Sequence, residues 1–314
     1  MRKNTNRILS ILLISQLALI AFFYWPAGEK KPAPTELVTG LAAGSVRELT
    51  ITDDGAKSIT LEKDDSGQWQ VNGDTPPPLP ADGKQMEKIL ASLTSLQSQR
   101  LVTRTKSSHM RLQVGDRVFA RKISLRGTNG ESRTLFLGTA PGQQSIHVRA
   151  EGSDDVYLAK GISAWELNTD KDSWLAKEYL VIDRDKLKEL RLKNSHGSFI
   201  LEKAEKGWQL EGIDVSQRAT APDAVDALLQ RATRLTLHEY LGKEKPADSL
   251  DGGTLTLVTE TGTVTVDIGA QKDKDNFHVV KSSASPFYVT VSDYQIKPLL
   301  DMTAENLTAG GSEN

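Results

Sequence analysis

Two stretches of the chain carry nearly the same phrase, "SITLEKDDSGQWQV" at Ser58–Val71 and "SFILEKAEKGWQL" at Ser198–Leu210. Each begins with an alternation of apolar and polar residues, which predicts a half-buried strand. A turn with Gly follows, and a Trp then begins another short strand. Trp69 and Trp208 hold the same place in the two stretches, so the phrase predicts an internal repeat.

The likeness extends to both sides of the phrase. Val46–Ile51 and Leu187–Leu192 alternate as strands before it. After it, apolar residues at helical spacing predict a helix in each half, with Thr220 as the N-cap of the second. The apolar positions are Met86, Ile89, Leu90, Leu93 and Leu96 in the first half, and Val225, Leu228, Leu229, Ala232 and Leu235 in the second.

Matching hairpins follow each predicted helix. The first pair is Lys122–Gly138 and Gly253–Gly269, which turn at Asn129-Gly130 and Thr261-Gly262. The second pair is Ser145–Gly161 and Asn276–Ser292, in which His147 matches His278 and Tyr157 matches Tyr288. A short helix is predicted to close each half, near Ile162–Leu167 and near Tyr294–Met302.

The predicted fold class is therefore α+β, a tandem duplication of a β-β-β-α-β-β-β-α unit in which one helix covers an antiparallel sheet. We expect five regions along the chain. They are a cytoplasmic stub and transmembrane anchor (1–26), a spacer (27–40), lobe 1 (41–176), lobe 2 (177–302) and a disordered tail (303–314). Apolar residues in the connection between the lobes predict that the lobes touch.

The beginning of the chain predicts membrane insertion. Arg2, Lys3 and Arg7 precede an apolar run, residues 8–25, that is just long enough to cross a bilayer. A cleaved signal peptide would need small residues where "YWPAG" stands, so an uncleaved anchor is favoured. The positive flank stays inside, so both lobes would face the periplasm of a Gram-negative bacterium, with the anchor in the inner membrane.

Composition excludes several classes of function. The net charge of −2 gives no broad attraction for nucleic acid. The chain has no Cys, which excludes disulfides, thiolate metal sites and a cysteine nucleophile. No phosphate-binding loop, serine-hydrolase motif or dinucleotide fingerprint is present, so we expect no cofactor and no catalytic residues.

Six residues stand at repeated positions, and each is interpreted as structural. They are Trp69, Trp208, His147, His278, Tyr157 and Tyr288. The two His are expected on a partly exposed strand face. A metal or base role would need carboxylate partners that the spacing does not single out. Trp165 and Trp174 are expected in the cores. The acidic clusters, such as Asp64-Asp65, are attributed to turns.

One basic segment, "TKSSHMR" at Thr105–Arg111, has two interpretations. It could contact phosphate or lipid headgroups, or it could be a solvated loop, and the second interpretation is favoured.

The repeated "LEK" and "GW" phrases, with "LFLGTAPGQQSIHVRAEGSDDVYLAKG" and "WLAKEYLVIDRDKLKELRL", resemble the bacterial family called domain of unknown function 4340. The resemblance covers about Leu41 to Met302. It implies a single-pass envelope protein, often encoded beside ABC-2-type permeases and an auxiliary subunit of gliding-motility exporters. It implies no catalytic residue.

The expected function is thus a non-catalytic accessory or scaffold of an ABC-type export system, with a permease or auxiliary subunit as its protein partner. The alternative is a solute- or glycan-binding module of the envelope, with a ligand that the sequence does not identify. An envelope hydrolase is a third possibility. A groove between the lobes is the expected place for a ligand.

Overall fold

The computed structural model describes residues 12–20, 36–72, 77–142, 145–205, 207–211, 220–246, 250–271 and 276–308. The first lobe contains strands β1 (Val46–Asp53), β2 (Ser58–Lys63), β3 (Trp69–Asn72) and β4 (Leu79–Pro80), helix α1 (Gly83–Thr94), and strands β5 (Ser98–Thr103), β6 (Arg121–Gly127), β7 (Ser132–Leu137), β8 (Ser145–Ala150) and β9 (Val156–Lys160).

The second lobe contains strands β10 (Glu178–Val181), β11 (Leu187–Asn194), β12 (Gly197–Ala204) and β13 (Gly207–Leu210), helix α2 (Pro222–Ala232), strands β14 (Arg234–Gly242), β15 (Gly253–Thr259), β16 (Gly262–Gln271), β17 (Phe277–Ser282) and β18 (Tyr288–Ser292), and helix α3 (Asp293–Leu300). The predicted α+β class is confirmed, with two large antiparallel sheets and few helices.

Each lobe is built on one nine-stranded sheet. The strand orders are β4-β3-β2-β1-β6-β7-β8-β9-β5 and β10-β14-β18-β17-β16-β15-β11-β12-β13. Read in opposite directions, the two sheets share an order of eight strands. The ninth strand lies at opposite ends, as β4 in the first sheet and β10 in the second.

Register explains why the repeated phrase recurs. Lys63 lies opposite Trp69, and Lys203 lies opposite Trp208, so both copies place a Lys beside the Trp across a hairpin. The Lys63 ammonium is 5.2 Å from the Trp69 ring, a distance at which a cation is attracted to the ring face. The phrase therefore produces the same Lys–Trp register in both hairpins, although the Lys203 ammonium donates to Asp185 O.

Helices α1 and α2 each bury one apolar face, at the positions that the spacing predicted. The first core is formed by this face of α1 and the inner residues of sheet 1, and the second core by α2, α3 and sheet 2. The helix ends differ, because Asp82 accepts hydrogen bonds from the N–H groups of Lys84 and Gln85, whereas Ala221 caps α2 without a side-chain bond.

Three local predictions are wrong. Thr220 is not the N-cap of α2, because its hydroxyl donates to the Trp208 carbonyl instead. Residues 162–167 form turns rather than a helix, since Glu166 folds back to accept from Ser163. Trp165, expected in a core, is 76% exposed on that turn.

The cores extend beyond the predicted lobe boundaries at both ends. Leu37 and Val38, within the predicted spacer, are buried in the first core. Leu307, within the predicted tail, is fully buried in the second core. Residues 309–314 lie outside the described residues.

The start of the chain is described only in part. Residues 12–20 are helical and exposed. Within the described ranges, we find no helix with the length and apolar character needed to cross a membrane. Residues 8–11 and 21–25 of the predicted membrane segment lie outside those ranges.

The lobes are joined by backbone hydrogen bonds on both sides of the connecting segment. The bonds to lobe 1 run from Asp82 N–H to Trp174 O (2.8 Å) and from Ala176 N–H to Pro80 O (2.9 Å). On the other side, Leu237 N–H donates to Lys177 O (2.9 Å), and the Tyr240 hydroxyl donates to Ala176 O (2.8 Å). Leu79 and Tyr240 pack against both cores. The prediction that the lobes touch is confirmed.

Candidate functional site

The two repeated His residues lie deeper than the partly exposed face that we expected. His147 on β8 is 8% exposed, and His278 on β17 is 3% exposed. Their rings make the same contact, because each Nδ1 lies close to a backbone carbonyl of the preceding strand region. The distances are 2.8 Å to Thr139 O and 3.0 Å to Gly269 O. This bond fixes the orientation of both rings.

The rings differ at Nε2. In the second lobe, His278 Nε2 is 2.9 Å from Asp293 Oδ1 at the start of α3. A carbonyl and a carboxylate both accept hydrogen bonds, so the imidazole donates to both only when both nitrogens carry protons. Both ring nitrogens of His278 therefore face acceptor atoms of the protein. These two contacts hold the ring between Gly269 and the start of α3.

A cavity of about 820 Å³ opens beside this His-Asp pair. It is bounded by the end of β11, the start of β15 and one side of α3. Its walls combine both signs of charge with two Leu side chains, a mixture that suits a polar solute. The charged lining residues are Lys193, Asp251, Asp293, Lys297 and Asp301.

Two glycines allow the cavity wall to form. A Cβ on Gly252 would lie 2.8 Å from Gly269 O, the carbonyl that accepts from His278. A Cβ on Gly253 would lie 2.9 Å from Lys193 O. Both distances are shorter than real Cβ atoms show, so only glycine lets the chain pass this close. Because Gly252 has no side chain, the "DGG" segment can pass close to Gly269 O, the carbonyl that holds the His278 ring.

Asn194 closes the cavity from the other side. Its side-chain amide donates to Leu299 O (3.1 Å) and Met302 O (2.8 Å), which ties the end of α3 to β11. The helix that carries Asp293 and Lys297 is therefore held at both ends, by His278 at its start and by Asn194 at its end.

A second cavity of about 650 Å³ lies on the other side of α3 and shares Asp293, Lys297 and Asp301 with the first. Tyr294 is exposed at its edge, and the Arg231 guanidinium lies 5.8 Å from the Tyr294 ring. Together the two cavities line both sides of one helix.

The remaining repeat positions make contacts within their own lobes. Trp69 is buried in the first core, and Trp208 packs partly buried against the second. The Tyr157 hydroxyl donates to Asp155, and burial, followed by this bond, raises the pKa of Tyr157. Lys281 lies 5.6 Å from the Tyr288 ring. The structure does not bring these four residues together with the His-Asp pair.

The hairpins that carry the repeated Tyr residues are not in the same register. Tyr157 lies opposite Val148, one residue after His147, whereas Tyr288 lies opposite Lys281, three residues after His278. Both hairpin connections contain five residues, 151–155 and 283–287, so the two hairpins differ in where the turn stands relative to the His. The two lobes also differ in that Asp293 directly follows β18 and reaches His278.

Turn formation accounts for the acidic cluster at Asp64. Its carboxylate accepts from the Ser66 hydroxyl (2.6 Å) and from the N–H groups of Ser66 and Gln68. These bonds, the Ser66 hydroxyl first, hold the pKa of Asp64 below its usual range. Across the described residues, no group of three His, Asp or Glu side chains could hold a metal ion.

Sequence reasoning found His278 but missed its surroundings. Asp293, Lys297 and Asn194 are far from it along the chain or on other elements, so only the folded sheet brings them together. One local signal was available: "SD" at 292–293 follows a strand and begins a helix, where an acidic residue in the first turn is favoured.

A comparison with protein families matched the chain to one family model, described as domain of unknown function (DUF4340), over residues 69–251. This match covers more than half of the chain. A comparison with curated proteins found no match, and a comparison with solved structures found none either.

Proposed function

The chain belongs to the family of domain of unknown function DUF4340, and we propose that it is a non-catalytic accessory or scaffold protein of the bacterial envelope. In this proposal residues 8–25 anchor it in the inner membrane, with the amino terminus in the cytoplasm. The two lobes lie in the periplasm beside an ABC-type exporter, where they bind a permease or auxiliary subunit.

The observation that carries the proposal is the way the lobes are joined. Backbone bonds on both sides of residues 174–177 fasten them, and Leu79 and Tyr240 pack into both cores. In this proposal the contacts at the junction keep the two lobes together as one binding surface. Such a surface suits a scaffold, whereas a protein that closes on a solute needs lobes that can move.

The state of the repeated His residues supports the non-catalytic part of the proposal. Both nitrogens of His278 are held by protein acceptors, and Nδ1 of His147 is held by Thr139. These rings fix strands and turns. The common order of eight strands in the two sheets further supports an origin by tandem duplication, in which one scaffold unit was copied.

The sequence supports the anchor. Three basic residues precede the apolar run, and the aromatic cluster "FFYW" at its end suits the membrane interface. Mass spectrometry of the protein from its own membrane tests this point directly. An intact amino terminus supports the uncleaved anchor, and a mature protein that begins after residue 25 would contradict it.

The partner is tested by mild crosslinking of the full chain in its native membrane, followed by affinity purification and mass spectrometry. We expect an integral-membrane permease and an ATPase to be recovered. The control carries residues 1–40 on an unrelated periplasmic domain, so that any partner bound by the anchor alone is subtracted. Recovery of the full chain without a permease would contradict the proposal.

A second function, solute or glycan binding, is favoured by the cavity beside His278. Its Lys and Asp side chains could hold a polar solute, and the exposed Tyr294 of the neighbouring cavity could stack on a sugar ring. Thermal-shift measurements with free amino acids and N-acetylglucosamine test it. A stabilisation that Lys297→Gln removes and Lys188→Gln preserves would support this function, and no stabilisation by either solute class would count against it.

A further inference from the structure

Residues 104–122, here called the basic platform, cross part of the outer face of the first sheet and end in the first two residues of β6. Strand β7 turns Leu135 and Leu137 towards the first core and Phe136 towards the other face. The basic platform covers Phe136 with Leu112 and Val114, and the Phe119 ring lies 5.8 Å from the Phe136 ring. The segment is therefore packed onto the sheet by a small apolar cluster of its own.

Backbone contacts fasten the basic platform to the sheet. Thr139 N–H donates to Leu112 O (2.9 Å), and Ala120 N–H donates to Leu137 O (3.0 Å). A Cβ on Gly138 would lie only 2.0 Å from Leu112 O, so glycine is required for this approach. The backbone of the basic platform is consequently fixed against the sheet, and its exposed side chains project from that fixed backbone.

The charge of the basic platform is one-sided. It contains six basic residues and a single acidic one, Asp116. The Asp116 carboxylate is engaged by Arg149, which is buried, and this bond holds the pKa of Asp116 below its usual range. Among the described residues no carboxylate forms a salt bridge with the exposed Lys106, Arg111 or Arg117.

Exposed apolar side chains alternate with these cations. Met110 is 69% exposed beside Arg111, and Val118 is 41% exposed beside Arg117. A bilayer interface accommodates this combination, because cations bind anionic headgroups while neighbouring apolar side chains enter the boundary with the acyl chains. A nucleic acid or a polyacidic peptide would match the cations but would leave Met110 and Val118 without an apolar partner.

We propose that the basic platform docks on an anionic phospholipid bilayer through Lys106, Arg111 and Arg117, with Met110 and Val118 entering the interface. This contact is additional to the proposed anchor and does not depend on it. It is compatible with that anchor, since the chain enters lobe 1 where Leu37 N–H donates to Leu96 O (3.1 Å). Strand β5 begins two residues later and leads about 20 Å to the basic platform.

The absence of Cys allows a site-specific test on the full chain. Ser107→Cys, labelled with an environment-sensitive fluorophore, reports on the basic platform and leaves Met110 in place. Lys188→Cys, on the second lobe, is the matched control. In nanodiscs that contain phosphatidylglycerol, we expect the emission of the first label to report an apolar environment, and we expect lipid-borne quenchers to reach it. Neither change should occur in pure phosphatidylcholine nanodiscs. The control label should be indifferent to lipid charge.

Variants that remove positive charge then test which residues contribute to docking on the bilayer. Arg111→Gln with Arg117→Gln should lower the equilibrium constant for docking about 25-fold, about five-fold for each residue. The control pair Lys188→Gln and Lys245→Gln removes the same charge from exposed sites on the second lobe and should leave docking unchanged. Equal losses for the two pairs would show that net charge alone matters, and would overturn the proposal.

Two further outcomes would also overturn it. One is an identical signal from the Ser107 label in anionic and zwitterionic nanodiscs. The other is a response to a soluble DNA oligonucleotide or polyglutamate that anionic nanodiscs do not reproduce, which would assign the surface to a polyanion. Carbonate extraction of the same samples reports separately on the anchor, so failure of the anchor and failure of docking are distinguishable.

Discussion

At the scale of single residues, Gly252 shows how the backbone prepares the candidate site. An added Cβ would lie 2.8 Å from Gly269 O and 3.1 Å from Ile268 O, and both are backbone atoms that cannot rotate away. We expect Gly252→Ala to lower the free energy of unfolding by about 1–3 kcal/mol, as strain at a packed site does. Urea unfolding measures this loss.

The control is Gly44→Ala, where an added Cβ would meet nothing within 4 Å. It should change stability by less than about 0.5 kcal/mol. In Gly252→Ala the imidazole nitrogen signals of His278 should also move, since Gly269 O accepts from its ring. An unperturbed ring and full stability would refute the close approach.

His278 and His147 allow a comparison between matched positions. Removing either ring leaves a carbonyl without its ring contact. His147→Ala also removes a contact with the neutral Thr139 hydroxyl, whereas His278→Ala deprives the Asp293 carboxylate of a partner. We expect His278→Ala to cost about 2–3 kcal/mol and His147→Ala about 1 kcal/mol. Chemical denaturation of both variants gives the difference. Equal losses would mean that the contact with Asp293 contributes nothing to stability.

At the scale of elements, the helix starts provide a pair of opposite predictions. Asp82→Ala removes the oxygen that accepts from two N–H groups at the start of α1, so it should destabilise by about 1 kcal/mol. Ala221→Asp supplies such an oxygen to α2, whose cap is extended but lacks a side-chain bond, and should stabilise by about 0.5–1 kcal/mol. Denaturation midpoints at constant slope measure both.

Elements with a strong local signal could be predicted from the sequence. Hairpins with an Asn-Gly or similar turn between alternating runs appear where expected, as in β6 with β7 and β15 with β16. Strands β5 and β14 were missed because they follow the helices at once. Leu96 and Leu235, which continue the apolar helical spacing, lie beyond the ends of the helices.

The candidate site was less predictable than the fold. The repeat pointed to His278, but its exposure depends on which elements pack over β17, and its partner depends on where α3 begins. Trp165 shows the converse: an aromatic residue beside Ile162 and Leu167 predicts burial, yet those two neighbours fill the core and Trp165 is left outside. Both outcomes depend on tertiary contacts that local patterns do not contain.

At the scale of the whole molecule, the junction between the lobes should make unfolding cooperative. Backbone bonds on either side of residues 174–177, and two side chains shared by the cores, mean that loss of one lobe exposes the other. We expect a single calorimetric transition for the full chain. Two separate transitions at neutral pH would contradict a rigid junction and would weaken the scaffold proposal.

Tyr240 makes the stability of this junction depend on pH. Burial, with a smaller contribution from nearby Tyr179, raises the pKa of Tyr240 to about 12 from its usual 10.0. In the unfolded chain the phenol ionises at lower pH, near pH 10. Rising pH therefore lowers the free energy of the unfolded state before it lowers that of the folded state. The stability that Tyr240 contributes is therefore fully present below pH 10 and is lost as pH rises towards about 12.

The expected loss over this range is about 2–3 kcal/mol. Tyr240→Phe removes the ionisable group, and it also removes the hydrogen bond to Ala176 O, so it should cost about 1 kcal/mol at pH 7. Between pH 10 and 12 the variant should lose less stability than the natural chain, so the two denaturation curves should converge and then cross. Parallel curves across this range would show that the hydroxyl ionises freely, and therefore that the junction around Tyr240 is open to water.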